Sequence, residues 1–308
     1  MKEIYRIENA QWYAFVDLLH GANCIALRNE KLGIAVFREP KADGERDNWF
    51  LYGMPILFPV NRIQGGRFLF EGRQYEFPIN EPATGCHLHG ELHKMSFTLV
   101  EKQKERLLCR FAASKERPYL GFPHEFEILA EYALAEEGLC HTLTVINRSE
   151  RNMPLLLGFH STFSSLPFRG GKAQDIRIFA QIDEEYERRM ESDFLPTGKK
   201  LPLDAVSQAL CSSGLCPLGK TISRHYRGGG ILSVFDVEKR LRIVYKPDEK
   251  FKFRLIYGKA SEGYVCLEPQ TCLVNCPNGP FSREEGGFDF LRPGEGKTYR
   301  SMIIAEEF

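Results

Sequence analysis

Glu268 and His160 are the residues of this sequence best placed to exchange a proton. Glu268 follows Tyr264-Val265-Cys266-Leu267, and a carboxylate at the end of an apolar strand is costly to bury without a purpose or a partner. Pro269 removes a backbone donor, which predicts that the ladder stops there and leaves Glu268 at a rim. His160 closes the run Leu155-Leu156-Leu157-Gly158-Phe159, where desolvation and neighbours can tune an imidazole. The plain alternatives are a surface Glu at a strand end and a His that caps a backbone carbonyl.

Two further clusters carry polar groups at probable strand ends. Asn61-Arg62 follows the apolar Ile56-Leu57-Phe58, and an Arg there can turn its planar fork of donors on hydroxyls or a carboxylate, or simply occupy a surface turn. Cys86-His87-Leu88-His89-Gly90 puts His87 and His89 on one face if the segment is extended, with His93 close behind. That arrangement could begin a metal site, but no third ligand continues the spacing before Gly90. Histidine near neutrality also suits proton donation or hydrogen bonding to a hydroxyl, and a structural role fits equally well.

One carboxylate, up to three histidines and an Arg suit the opening of a cyclic hemiacetal. A base takes the proton of the anomeric hydroxyl, an acid protonates the ring oxygen, and the C1–O5 bond breaks to a free aldehyde. Any acid–base hydrolase could use the same set. Neither a metal nor a cofactor is expected. Cys272-x3-Cys276 and Cys211-x4-Cys216 lack the spacing and His partners of a zinc site, and Gly228-Gly229-Gly230 lacks the Gly-Lys-Ser/Thr ending of a phosphate loop.

The elements that must hold these residues read as strands. Residues 139–145, 241–245, 251–257 and 299–304 alternate apolar with polar side chains, and 68–75 reads as a hairpin turning at Glu71-Gly72. Residues 183–190 hold helix formers but are short, and the polar stretch 39–48 reads as a surface loop. No repeat or long linker divides the chain, so one all-β domain over 1–308, built as stacked antiparallel sheets, is expected.

Composition narrows the class. Lys+Arg and Asp+Glu number 41 each, so the formal charge is zero, which argues against nucleic acid as a partner. Apolar residues at 43% fill a large core, and no apolar run approaches the length of a membrane span. The first residues show no secretory signal, and nine scattered cysteines suit a reducing compartment, so a cytoplasmic protein is expected, with no membrane partner.

With these residues on the page, the sequence resembles the aldose 1-epimerase (galactose mutarotase-like) family. Gly53-Met54-Pro55 through Asn61-Arg62-Ile63, Leu88-His89-Gly90, Phe122-Pro123-His124-Glu125-Phe126, Gly158-Phe159-His160, Leu195-Pro196-Thr197-Gly198, Leu267-Glu268-Pro269-Gln270-Thr271 and Leu291-Arg292-Pro293-Gly294-Glu295 follow its motifs in order. The resemblance implies a β supersandwich, with Glu268 as general base at the anomeric hydroxyl and His160 as general acid at the ring oxygen. It implies that His89 sits near the ring oxygen, that Asn61 and Arg62 bind sugar, and that the protein is a monomer or homodimer acting on a small sugar without a cofactor.

Two departures bear on the substrate. Where the family usually has an Asp that binds sugar hydroxyls, this chain reads Ser223-Arg224-His225, so Arg224 would stand in its place and the substrate would differ or carry negative charge. The segment after His89 also lacks the family's aromatic pattern. The readings this leaves are a hexose mutarotase, a hexose-6-phosphate 1-epimerase, and a non-catalytic carbohydrate-binding protein of the same fold.

Overall fold

The structure, a computed structural model, describes residues 3–40, 49–218 and 221–308. All but the first two residues of the polar stretch 39–48 lie outside the described residues. Period-two patterning produces the strands. Phe126–Leu134 alternates buried and half-buried side chains along its whole length, and Gly138–Asn147 nearly so. These two are neighbours in an eight-stranded antiparallel sheet ordered Thr98–Lys102, Arg106–Ala113, Phe126–Leu134, Gly138–Asn147, Gly296–Glu307, Leu241–Lys246, Leu232–Asp236 and Ile176–Ala180. The expected hairpin forms from Arg67–Phe70 and Arg73–Glu76, with Glu71 and Gly72 at φ 47° and 74°. Two consecutive positive φ values match the twist of a tight hairpin turn.

A second sheet carries the candidate chemistry. Its order is Pro196–Leu201, Glu184–Arg188, Ile222–Arg227, Phe253–Lys259, Tyr264–Gln270, Gly158–Phe159 and Ile56–Leu57, and Thr162–Ser164 also pairs with Tyr264–Gln270. The helix formers of 183–190 therefore make a strand. Tyr186 pairs with His225 on one side and Lys200 on the other, and that pairing overrides local propensity. The expected α-helical content instead sits at Ala205–Cys211, where the Asp204 side chain accepts from the Ser207 N–H at the helix start.

Pro269 does not end its ladder, because the strand runs on to Gln270 and Pro269 pairs with Arg254. The Leu267 N–H donates to the Ser161 carbonyl, so the Pro269 nitrogen points to that same side. There the neighbouring strand is broken between Phe159 and Thr162, where a missing donor does little harm. Glu268 consequently lies inside a sheet whose strand is buried at all seven positions.

The two sheets share one apolar core running from Ile7 to Ile303. Val265, Leu267 and Ile256 from one sheet join Phe111, Ile128, Leu143 and Tyr299 from the other. The Phe159 ring packs edge-on against His141, 5.2 Å between centroids, and Phe163 lies 6.3 Å from Tyr245. A four-stranded sheet, Ile4–Glu8, Trp12–Asp17, Asn23–Asn29 and Ile34–Ala35, adds its own buried face. All nine cysteines are free, and no described helix is long and apolar enough to cross a membrane.

Candidate active site

Strand parity decides which side chains meet. Cys266, Glu268 and Gln270 project from the face of the second sheet opposite Val265 and Leu267, which enter the core. On that outer face the Glu268 Oε1 lies 3.3 Å from the Nε2 of His160, with the carboxylate 1% and the imidazole 5% exposed. The contact lacks hydrogen-bond alignment, and Oε1 is a buried oxygen without a hydrogen-bond partner. The other carboxylate oxygen accepts from Gln270 Nε2 at 3.1 Å, and Gln270 Oε1 accepts from Asn61 Nδ2 at 3.2 Å. One oxygen is held while the other is free.

Burial dominates the electrostatics of the pair. It pushes the Glu268 carboxyl up to about 8, against the lowering effects of Gln270, Arg188 and Arg62. Burial also holds the His160 imidazole down at about 3. The exchangeable proton of the pair therefore favours the carboxyl over the imidazole near neutral pH. His160 Nδ1 meets the Thr162 hydroxyl at 3.2 Å, and that hydroxyl lies 3.0 Å from the Phe50 carbonyl and 3.2 Å from that of His160. The hydroxyl has one proton to donate, and carbonyls can only accept it. It therefore accepts from Nδ1–H, which leaves the Nε2 lone pair facing Glu268.

His89 and Arg62 complete the near wall. The strand Cys86–Leu88 ends before His89, which takes φ 65°, so His87 and His89 do not share a face as an extended segment would require. The His89 N–H donates to the Asn61 carbonyl, and its ring stands edge-on to His160 with centroids 5.3 Å apart. Its Nδ1 is buried without a partner, and burial, reinforced by His160 and Arg62, holds the imidazole well below its usual pKa. Arg62 is gripped by Glu81 through two 2.6 Å hydrogen bonds and lies over the Phe194 ring. His87 gives Nδ1 to the Pro78 carbonyl and stacks on Phe77, a structural role. The aromatic wall comes from elsewhere in the chain: Trp49 stacks on His93, and Phe50 packs 5.5 Å from His160.

Arg224 is not brought to this group. It pairs with Ile256, one residue out of step with the His225–Leu255–Glu268 row, and so points from the opposite face. Glu185, Asp204 and Ser207 hold its guanidinium there. The cation on the Glu268 face is Arg188, which donates to Ser223 Oγ at 3.0 Å. His225 lies beside it, fully buried, with both ring nitrogens unpartnered. Sequence reasoning missed Arg188 because its segment read as helix formers. Two-residue spacing from Tyr186, once the segment is known as a strand, would have revealed it.

His160, Cys266 and Glu268 each offer a ligand atom within 4.8 Å of the others, the one such set among the described residues. Imidazole, thiol and carboxylate are zinc-type ligands, although burial keeps the Cys266 thiol well above its usual range and therefore protonated. The Cys272–Cys276 and Cys211–Cys216 pairs form no such set among the described residues.

Comparison with known proteins bears on the family and the fold. The aldose 1-epimerase family model matches residues 3–300. The uncharacterized protein YphB of Escherichia coli (strain K12) is 24% identical over 264 residues, spanning 82% of this chain and 83% of that protein. A galactose mutarotase-like protein from Clostridium acetobutylicum superposes with a TM-score of 0.93 at 27% identity, over 98% of this chain and 95% of that one. An aldose epimerase homologue from C. elegans has the same fold, with a TM-score of 0.80 at 17% identity, over 100% and 99% of the two chains.

Proposed function

The chain belongs to the aldose 1-epimerase family, and on that premise we propose that it interconverts the α and β anomers of a hexose by ring opening between Glu268 and His160. The observation that carries this reading is the buried, unpartnered Oε1 of Glu268, 3.3 Å from His160 Nε2. A carboxylate oxygen free to accept from a hydroxyl, beside an imidazole nitrogen that can donate to a ring oxygen once it takes up the pair's proton, is what ring opening requires.

The single proton of the pair is central. A sugar hydroxyl donating to Oε1 favours the carboxylate, and a ring oxygen accepting from Nε2–H favours the imidazolium, so binding moves that proton from Glu268 to His160. Glu268 then takes the O1 proton as the O1 electrons form the C1 carbonyl. The C1–O5 electron pair goes to O5, which takes the proton from Nε2. Rotation about C1–C2 exposes the other face of the aldehyde, and the same transfers in reverse close the ring to the other anomer. The Asn61–Gln270–Glu268 chain fixes the carboxylate, and Thr162 fixes the imidazole tautomer.

The test is the optical rotation of freshly dissolved α-glucose and α-galactose. Faster relaxation with protein present is expected, together with its loss in Glu268→Gln. Unchanged relaxation across a panel of free aldoses, charged ones included, sinks the reading.

A further inference from the structure

Arg188 is a buried cation with no carboxylate to answer it. The residue is 7% exposed, it forms no ion pair among the described residues, and its hydrogen-bond partner is the neutral hydroxyl of Ser223. The other arginines nearby are neutralised: Arg62 by Glu81, Arg224 by Glu185 and Asp204. Glu185 raises the Arg188 pKa only weakly and is itself turned to the opposite face and held by Arg224. Of the other acids near Arg188, Glu187 accepts from the Thr197 hydroxyl, Asp204 is paired with Arg224, and burial raises the carboxyl of Glu268. His225 beside Arg188 is neutral.

A guanidinium left in this state is costly unless a ligand supplies the opposite charge. Its Nε–H and Nη1–H have no protein partners among the described residues, and the planar fork suits two oxygens of a carboxylate or phosphate. Arg188 is also reachable, since with Ser223, Glu187 and the Glu185–Arg224–Asp204 group it lines a crevice of about 300 Å³. Three strand spacings, roughly 14 Å, separate its strand from that of Glu268. An arginine stem and a pyranose ring together span that gap.

We infer that the substrate is an anionic aldose, whose carboxylate or phosphate, carried at the end of the ring away from C1, pairs with Arg188 while C1 lies at Glu268. This rests on the proposed ring-opening reaction and narrows its substrate class.

Anomer exchange, followed by polarimetry or NMR at pH 7.5, is compared for glucose and galactose, for glucuronate and galacturonate, and for glucose 6-phosphate. Charge-assisted hydrogen bonds of this kind are worth about 10- to 150-fold, so kcat/KM should favour one anionic class by about that factor. Preference for the uronates identifies a carboxylate, and preference for the sugar phosphate identifies a phosphate. Arg188→Met should abolish the preference by lowering kcat/KM for the anionic sugar about 10- to 150-fold more than for glucose and galactose, while Arg188→Lys restores part of it. Equal or better turnover of neutral sugars by the native protein overturns the inference and spares the mutarotase reading. So does an equal loss for neutral and anionic sugars in Arg188→Met. If no aldose is accelerated, the mutarotase reading fails and calorimetric binding decides: uronate or sugar phosphate bound by the native protein and not by Arg188→Met upholds the anion site, and no such binding overturns it. Should the Met variant fail to fold, Arg188→Gln, which also removes the charge, carries the same comparison.

Discussion

Glu268 Oε1 and His160 Nε2 approach to 3.3 Å without aligning as a hydrogen bond, so the carboxylate oxygen faces the imidazole and has no partner of its own. Replacing Glu268 with Gln keeps the shape and removes the base. The kcat for anomer exchange should fall by about 10²- to 10⁴-fold, the usual worth of a positioned acid or base.

The same substitution has a signed effect on stability. Burial raises the Glu268 carboxyl from 4.5 to about 8, so the unfolded chain loses its proton first. Stability linked to this group is intact below about pH 4.5 and is lost as pH rises towards and through 8. Glu268→Gln escapes that loss. Its Tm relative to the native protein should therefore climb between pH 5 and pH 9, measured by calorimetry at both. A flat difference would show that the carboxyl is not held in its neutral form by burial.

Thr162 acts on the reaction through His160. Its hydroxyl accepts from Nδ1 and so keeps Nε2 free to receive the proton. Thr162→Val should lower kcat by about tenfold or more with little change in KM, because the tautomer is no longer fixed. Thr162→Ser should restore the rate. Nitrogen chemical shifts of His160 give the direct readout, moving from a single Nδ1–H form to a mixture in the Val variant.

The strands that end near Glu268 and His160 were legible because their apolar runs carry the signal locally, whereas the meeting of the two residues was implied only by the family resemblance. Alternation marked the strands at 139–145 and 241–245, and Glu71-Gly72 marked its hairpin turn. What remained hidden depends on pairing between distant segments. Residues 183–190 have helical composition, and only their place beside Ile222–Arg227 makes them a strand that turns Arg188 inward. Arg224 shows the cost of a single-residue error, since a one-step change in strand parity moves a side chain to the opposite face. Pro269 misled for a related reason: its nitrogen faces a break in the neighbouring strand, which sequence patterning does not reveal.

Gly90 shows how tightly the His89 turn is built. It takes φ 69°, and a Cβ there would run into the Phe58 carbonyl, which also accepts a hydrogen bond from the Tyr119 hydroxyl. Gly90→Ala should cost on the order of 1–3 kcal/mol in denaturant unfolding, from backbone strain combined with the clash. Because His89 precedes it, activity should fall even where the variant is still folded.

Buried histidines set the acid limit of the fold. Burial holds His93, His141 and His160 at about 3 and His124 at about 4, all below the ordinary 6.5. The unfolded chain takes up these protons below about pH 6.5, whereas the folded one resists until pH 3–4. Stability from a depressed group is present above the unfolded value and is lost as pH falls through the folded one. Each histidine contributes a slope of up to about 1.4 kcal/mol per pH unit across that window. Urea midpoints should therefore hold near neutrality and drop steeply between pH 6 and pH 4. His124, whose ring bonds both Tyr75 and Ser149, offers the clearest single check. His124→Gln should flatten the slope by about one proton's worth while lowering stability at pH 7, and an unchanged slope would mean that this histidine titrates normally in the fold.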